Sequence, residues 1–530
     1  MRVSNNTFTW EVKQLSQTPL WEYSSYAIDS KVDPAAVTNY GGLFPYLDLM
    51  LLTDLPGILT RCLPPAPARG WQHAEYAAAL LALNITGGDC VDDLTKLAAD
   101  PGISLYMGQI RHTRGLSTRR EPLGRTMRRM ARGGDGVLPS LTSVREWLDT
   151  FHHAAQEEKR RPGVAFIPAP NAALAGLHSA QRQYVTAAYR LQQRSGRPGI
   201  TRATLEIDAT FMETQKTTAL ACYKHYDAYS GLLVRWAETG LIVWDEFRDG
   251  NVPPSFRNRE ALVETISYLN TTLGITDVWV RSDAAACQHD LLQTLASWQV
   301  AGQPCPVNFA IGYVKTDAFR QAVRALPAKW WEPVTDKKGR LEYEIAEVVF
   351  VSNREALVKA EPYRHLVVRR KVPQGMLPGI DVSQPGKANE ETMEMDGKAY
   401  KIFAIVSNIV DWAPREIVAW YNARCGRGEA INSVVKSDLA GGQLPSNKFG
   451  ANAAWWALVV LAHNLHALLA CLALPGDLKD ARFKRLRFHF INVPARLVQH
   501  ARRCVVRYFS ASVLALIQAI RDALRALTPT

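Results

Sequence analysis

The stretch Tyr421 to Lys436, YNARCGRGEAINSVVK, gathers side chains suited to handling a phosphate ester. Tyr421 and Arg424 stand three apart and share one helical face, while Glu429, Ser433 and Lys436 follow at i, i+4 and i+7 on another. A phenol, a guanidinium fork and an ammonium around a carboxylate suit a place where a phosphodiester is gripped beside a metal ion. A surface helix laced with ion pairs has the same spacing, so these residues need partners elsewhere. Two aspartates qualify by position. Asp208 lies within Thr204 to Thr210 (TLEIDAT), and Asp283 follows Asp277 to Arg281 (DVWVR) by two residues. Carboxylates arriving from a strand, a strand end and a helix can hold two Mg²⁺ or Mn²⁺ ions about 3.5 to 4 Å apart. One ion then helps deprotonate a water or a 3′-hydroxyl, and the other stabilises the leaving oxygen of an in-line displacement at phosphorus. Among 50 acidic residues a triple carries little weight by itself. Asp208 also reads as a residue of a strand-end turn, and Asp283 as the cap of the helix that begins at Ala284.

The elements that must position these groups can be read from periodicity. Leu205, Ile207 and Ala209 alternate with Glu206, Asp208 and Thr210, the pattern of a half-buried strand. Thr218 to Tyr226 and Leu232 to Phe247, the latter with a Glu238-Thr239-Gly240 turn, read as strands of a short antiparallel meander. A helix follows over Arg259 to Leu273, ending at Gly274, then the strand at Asp277, a helix from about Gln288 to Trp298, and a strand over Asn308 to Val314. Three strands, helix, strand, helix, strand is the order of an RNase-H-like α/β fold with a mixed sheet. Residues 316–400 read as a β-rich insertion with strand candidates at Tyr343 to Val351 and Arg364 to Lys371. Lys401 to Ile409 resumes the core, and Pro414 opens the helix leading to Tyr421.

Around that core, residues 1–165 read as an all-helical N-terminal domain without strand signals, and 166–200 as a linker helix. The core itself divides into 201–315 and 401–475, and 476–530 reads as a basic helical end. Arg111 to Arg132 holds eight arginines, among them Arg119, Arg120, Arg128 and Arg129, against one acid, Glu121. Arginines this dense repel one another unless an anion sits among them, which points to double-stranded DNA. With the helix from about Ser140 to Phe151 and the one at Cys90, the segment suggests a reader of the helix-turn-helix kind. A solvated basic loop is the plainer alternative.

The bulk numbers agree. A 530-residue chain exceeds one ordinary core, and a formal charge of +12 favours a polyanionic partner. The eight cysteines show no zinc spacing, and the N-terminus shows no secretory leader, so a reducing cytoplasm is expected. No nucleotide-binding loop is present, so no nucleotide cofactor is expected. Trp455 to Leu474 is long enough to span a bilayer, but His463, Asn464 and His466 at its middle favour a buried core helix, with no membrane partner.

The chain resembles the bacterial insertion-sequence transposases whose DDE domain carries a Y-R-E-K signature. The resemblance covers LEIDATF (Leu205 to Phe211), Arg281-Ser282-Asp283, Tyr421 to Lys436, and Trp455 to Leu468. It extends to Gly41-Gly42-Leu43 and Pro494-Ala495-Arg496. It implies an RNase-H-like core interrupted by a β-rich insertion between the second and third acidic ligands. Asp208, Asp283 and Glu429 would be catalytic metal ligands, and Tyr421, Arg424 and Lys436 would contact transposon-end phosphates. The implied activity is metal-dependent cleavage at terminal inverted repeats and strand transfer into target DNA, by a homodimer bridged by DNA in the bacterial nucleoid. A nuclease or resolvase without strand transfer, or an inactive repressor, are the alternatives. The family usually places three residues between arginine and glutamate, whereas four stand here, Cys425 to Gly428. Either the helix bulges there or Arg427 takes part of the arginine's role.

Overall fold

Apolar residues alternate along the chain from Ala203 to Ile207, and in the computed structural model of the protein this run lies inside a large sheet, paired on both sides. The structure describes residues 26–28, 38–66, 70–103, 106–107, 138–196, 199–351, 363–372, 391–424, 431–500 and 503–527. The strands of the large sheet are β1 (Arg202–Glu213), β2 (Asp227–Trp236), β3 (Ile242–Asp249), β4 (Asp277–Ser282) and β5 (Asn308–Gly312). They continue with β6 (Glu332–Thr335), β7 (Leu341–Val348), β8 (Arg364–Lys371), β9 (Glu391–Met395) and β10 (Lys398–Ser407). The first five pair in the order β3–β2–β1–β4–β5. Antiparallel pairs join β1, β2 and β3, and parallel pairs join β1, β4 and β5. Between Trp236 and Ile242 the chain turns at Gly240, whose φ of +75° falls where glycine is favoured. The stretch read as a strand over Thr218 to Tyr226 pairs only at Leu220–Ala221; the rest is turn.

The strands expected of an insertion do not form a separate sheet. β10 pairs antiparallel with β5 through Ile405, Val406 and Ser407, and β8, β7 and β6 follow in order, so the central sheet simply grows at that edge. β10 starts at Lys398 and runs across the boundary placed at residue 400.

Side chains on a strand point alternately to the two faces, which gives this sheet two different coats. Leu205, Ile207, Val278, Val280, Phe309 and Ile311 join the main core, together with α1 (Phe44–Leu52), α2 (Leu55–Cys62), α3 (His73–Thr86) and α4 (Ala172–Arg194). Trp279, Ala310 and Ile405 face the other way, onto Ile417, Val418 and Tyr421 of α5 (Pro414–Asn422). Pro414 at the start of α5 gives up no needed N–H, and the Glu416 carboxylate accepts the Ala413 N–H at 2.8 Å. Because both faces are covered, β1 is fully buried from Ala203 to Ile207 rather than half-buried; the sequence pattern shows the alternation but not the second coat.

The apolar stretch near residue 460 is α6 (Phe449–Leu472), and 89% of its most apolar window is buried inside the protein. Its polar residues serve neighbouring backbone. Asn464 accepts the Ile242 N–H at 2.7 Å and donates to the Ile242 carbonyl at 2.8 Å, completing the bonds of β3. His463 lies 3.1 Å from the Gly240 carbonyl, and His466 lies 3.0 Å from the Tyr46 hydroxyl. Gly231 lets this helix approach, since a Cβ there would stand 2.1 Å from Trp456.

The two ends of the chain depart from the all-helical reading. Tyr26–Ile28 is a strand parallel to Arg503–Tyr508, which forms an antiparallel pair with Ala495–His500. Gly41 and Gly42 donate to the carbonyls of Val493 and Ile491 at 2.8 and 3.1 Å, so the two short motifs noted at opposite ends of the sequence pack together. The N-terminal helices belong to the same apolar core as α6. The helix Leu141–Asp149 buries Val144, Trp147 and Leu148, and Trp147 stacks on Tyr76 at 4.9 Å.

Candidate metal centre

Asp208 lies inside β1, and Ile207 is paired with Ser282 across the parallel ladder, so one further step along each strand brings Asp208 level with Asp283. Both side chains fall on the face covered by α5. Asp208 accepts its neighbour Ala209 N–H at 2.9 Å through Oδ1 and the Asn432 amide at 2.7 Å through Oδ2. Asp283 caps the turn Ala284–Ala286, its Oδ1 accepting the Ala285 N–H at 3.0 Å. The capping alternative is therefore realised, and it coexists with the placement beside Asp208. Burial, then the charge of Asp283, pushes the Asp208 carboxyl up to about 7. Arg424, the Ala209 N–H and the Asn432 amide pull it the other way.

Two oxygen-donor groups held together at a cost in repulsion fit a hard divalent cation, which relieves that repulsion. Among the described residues no group of three His, Cys, Asp or Glu side chains comes together. Glu429 lies outside the described residues, as do Arg427 and the arginines Arg119, Arg120, Arg128 and Arg129.

Tyr421 is only 2% exposed, and its ring lies 5.2 Å from Phe403. Arg424 donates to its hydroxyl at 3.3 Å and lies 5.1 Å over its ring. Gly312 of β5 makes room here. A Cβ at that position would stand 2.8 Å from the Ala284 nitrogen and 3.2 Å from the Tyr421 hydroxyl. The helix pattern breaks beyond Ser433. Val434–Asp438 forms a wide π turn, which shifts the residues after it away from 3.6 spacing. Lys436 comes close to Gly442, itself beside Met212, toward the far end of β1. There burial lowers the pKa of its ammonium and the charge of Lys224 adds to that, while Glu213 opposes. Ser433 accepts a bond from Arg482 at 2.8 Å.

A cleft of about 530 Å³ opens beside this centre, bounded by Ala284, Ala285, Gln288, Pro253 and the exposed Tyr223 and Val314. The sequence reading missed Asn432, although it stands only three residues after Glu429 in the sequence.

By sequence, no curated protein matches the chain. The structure of a piggyBac transposase synaptic complex with hairpin DNA aligns at a TM-score of 0.37 and 10% identity, over 93% of this chain and 86% of that one. That likeness is too slight to define a fold. Residues 387–529 match the family model described as "Transposase DDE domain group 1", a span that includes Tyr421, Arg424, Glu429 and Lys436 and excludes Asp208 and Asp283. Residues 387–529 are thus similar to a transposase DDE domain.

Proposed function

We propose that the chain is a DNA transposase with an RNase-H-like core, acting in the cytoplasm on terminal inverted repeats and target DNA. The observation that carries the reading is the level placement of Asp208 and Asp283 on neighbouring parallel strands, under a helix that lies within the family-matched segment. The order β3–β2–β1–β4–β5 supports the core assignment.

Asp208, Asp283 and Glu429 are the residues that would hold two Mg²⁺ or Mn²⁺ ions. When bound, such ions supply activation of the attacking hydroxyl and relief of charge at the leaving oxygen. The chain's own groups do the rest. The Asn432 amide fixes one oxygen of Asp208. Arg424, held by the Tyr421 hydroxyl, brings positive charge to the carboxylate side where a phosphodiester must enter. Lys436, Arg427 and the arginines at 119, 120, 128 and 129 grip DNA phosphates away from the bond that is cut. Cutting both element ends together calls for two such sites, hence a homodimer bridged by DNA.

The test incubates the protein with DNA bearing the element's ends, a target plasmid and Mg²⁺ or Mn²⁺, and scores both nicking and joining. Joined products are expected. Asp208→Ala, Asp283→Ala and Glu429→Ala should each abolish cleavage while end binding stays close to that of the parent chain. Nicking without joining would make the protein a nuclease, and cleavage by any of the three variants would overturn the ligand assignment.

A further inference from the structure

Directly below the carboxylate pair, on the same face of the sheet, lies a second row of charges. Glu206 is paired in register with Arg235 on β2 and with Arg281 on β4, so the three form a line across three strands. Two residues along β1 and β4 separate this line from Asp208 and Asp283, about 7 Å. Glu206 and Arg281 are 6% and 7% exposed. Both carboxylate oxygens of Glu206 are used. Oε1 accepts Arg281 through Nε at 2.9 Å and Nη2 at 2.6 Å, and Oε2 accepts Arg235 Nη1 at 2.6 Å.

The remaining arm of Arg281 leaves the sheet. Its Nη1 donates at 2.6 Å to the carbonyl of Trp420, in the last turn of α5, and its guanidinium lies 5.4 Å over the Trp420 ring. A cation at that carbonyl is favoured by the helix dipole as well as by the bond. Trp420 immediately precedes Tyr421, and Arg424, which acts on Asp208, follows in the next turn.

We propose that Arg281 is a positioning residue that sets the distance between the carboxylate pair and the end of α5. One planar guanidinium joins the strand of Asp208, through Glu206, to its own strand, which ends just before Asp283, and to the helix that carries Tyr421 and is followed by Arg424. A lysine keeps the charge but not the fork, and cannot make these bonds together. The role in catalysis rests on the transposase reading; the role in arranging the two aspartates does not.

The experiment compares the parent chain, Arg281→Lys and Glu206→Gln by three measurements: Mn²⁺ binding followed by electron paramagnetic resonance, cleavage of end DNA against metal concentration, and thermal unfolding. Arg281→Lys is expected to remain folded, to bind Mn²⁺ about tenfold more weakly and to need correspondingly more metal for half-maximal cleavage. Glu206→Gln, which keeps an acceptor for Arg281, is expected to fall between the two. Unchanged Mn²⁺ binding and metal dependence in a folded Arg281→Lys overturns the proposal. So does a loss that only follows the fraction unfolded. If the parent chain fails to cleave DNA but binds Mn²⁺, and Arg281→Lys weakens that binding, the transposase reading fails and the positioning role stands.

Discussion

Two sets of polar side chains, one buried along α6 and one half-buried at the edge of the candidate site, are treated in opposite ways. Asn464, in the middle of α6, uses both ends of its amide on Ile242, and His463 and His466 each have a partner within 3.1 Å. Asp208 and Asp283 face each other with like charge, and Asp208 is left with a carboxyl near pH 7. The helix set is arranged for stability, since a buried polar group without a bond is costly. The aspartate pair carries a repulsion that a cation would remove, which is what the proposed function requires of it.

The sharpest test of that contrast is Asp208→Asn. It should lower cleavage by on the order of 10³-fold, since several kcal/mol of transition-state stabilisation are lost with a metal ligand. The metal-free melting temperature should hold or rise, because the amide does not repel Asp283. A variant that melts well below the parent chain would put Asp208 in the stabilising class. Asn464→Ala should behave in reverse. Leaving the Ile242 N–H and C=O unpaired in the core costs about 2–6 kcal/mol at about 1–3 kcal/mol for each group, readable by urea denaturation. Metal affinity of the folded fraction should not change, and a tighter link to metal would erase the distinction.

The smallest effect is one of pH. Burial lowers His463 to about 4 and His466 to about 3, from 6.5 when unfolded. Between those values the unfolded chain binds more protons than the folded one, so their contribution is complete above about 6.5 and is lost as the pH falls through the folded values. His463→Gln should therefore lose less stability than the parent chain when the urea midpoint is compared at pH 7 and pH 5. Equal losses in the two proteins would remove His463 from the account.

Much of the core was legible because its elements are local patterns. The helix closing at Gly274 is seen as Asn258–Tyr268 followed by a π turn that ends at Gly274, with φ of +71°. The short strands expected at Asp277 and at Asn308 also form. The strand Tyr26–Ile28 was not legible, because three residues carry no period and their partner lies at Arg503–Tyr508, near the other end of the chain. The extension of the sheet through β6 to β10 was missed for a related reason. Strand candidates can be seen in a sequence, but the neighbour each one chooses depends on contacts distant in the chain.

At the candidate site, residue types and spacing were enough to single out Asp208, Asp283 and the Tyr421 to Lys436 stretch, since a carboxylate on a strand, another just past a strand and an arginine one turn from a tyrosine are local facts. The register of β1 against β4 put the two aspartates side by side, and that was a matter of tertiary structure. So was the bond from Asn432 to Asp208, which joins residues far apart in the chain. The fold also decided that Glu206 is buried between two arginines, since a charge is admitted to an interior only where opposite charges and hydrogen bonds meet it.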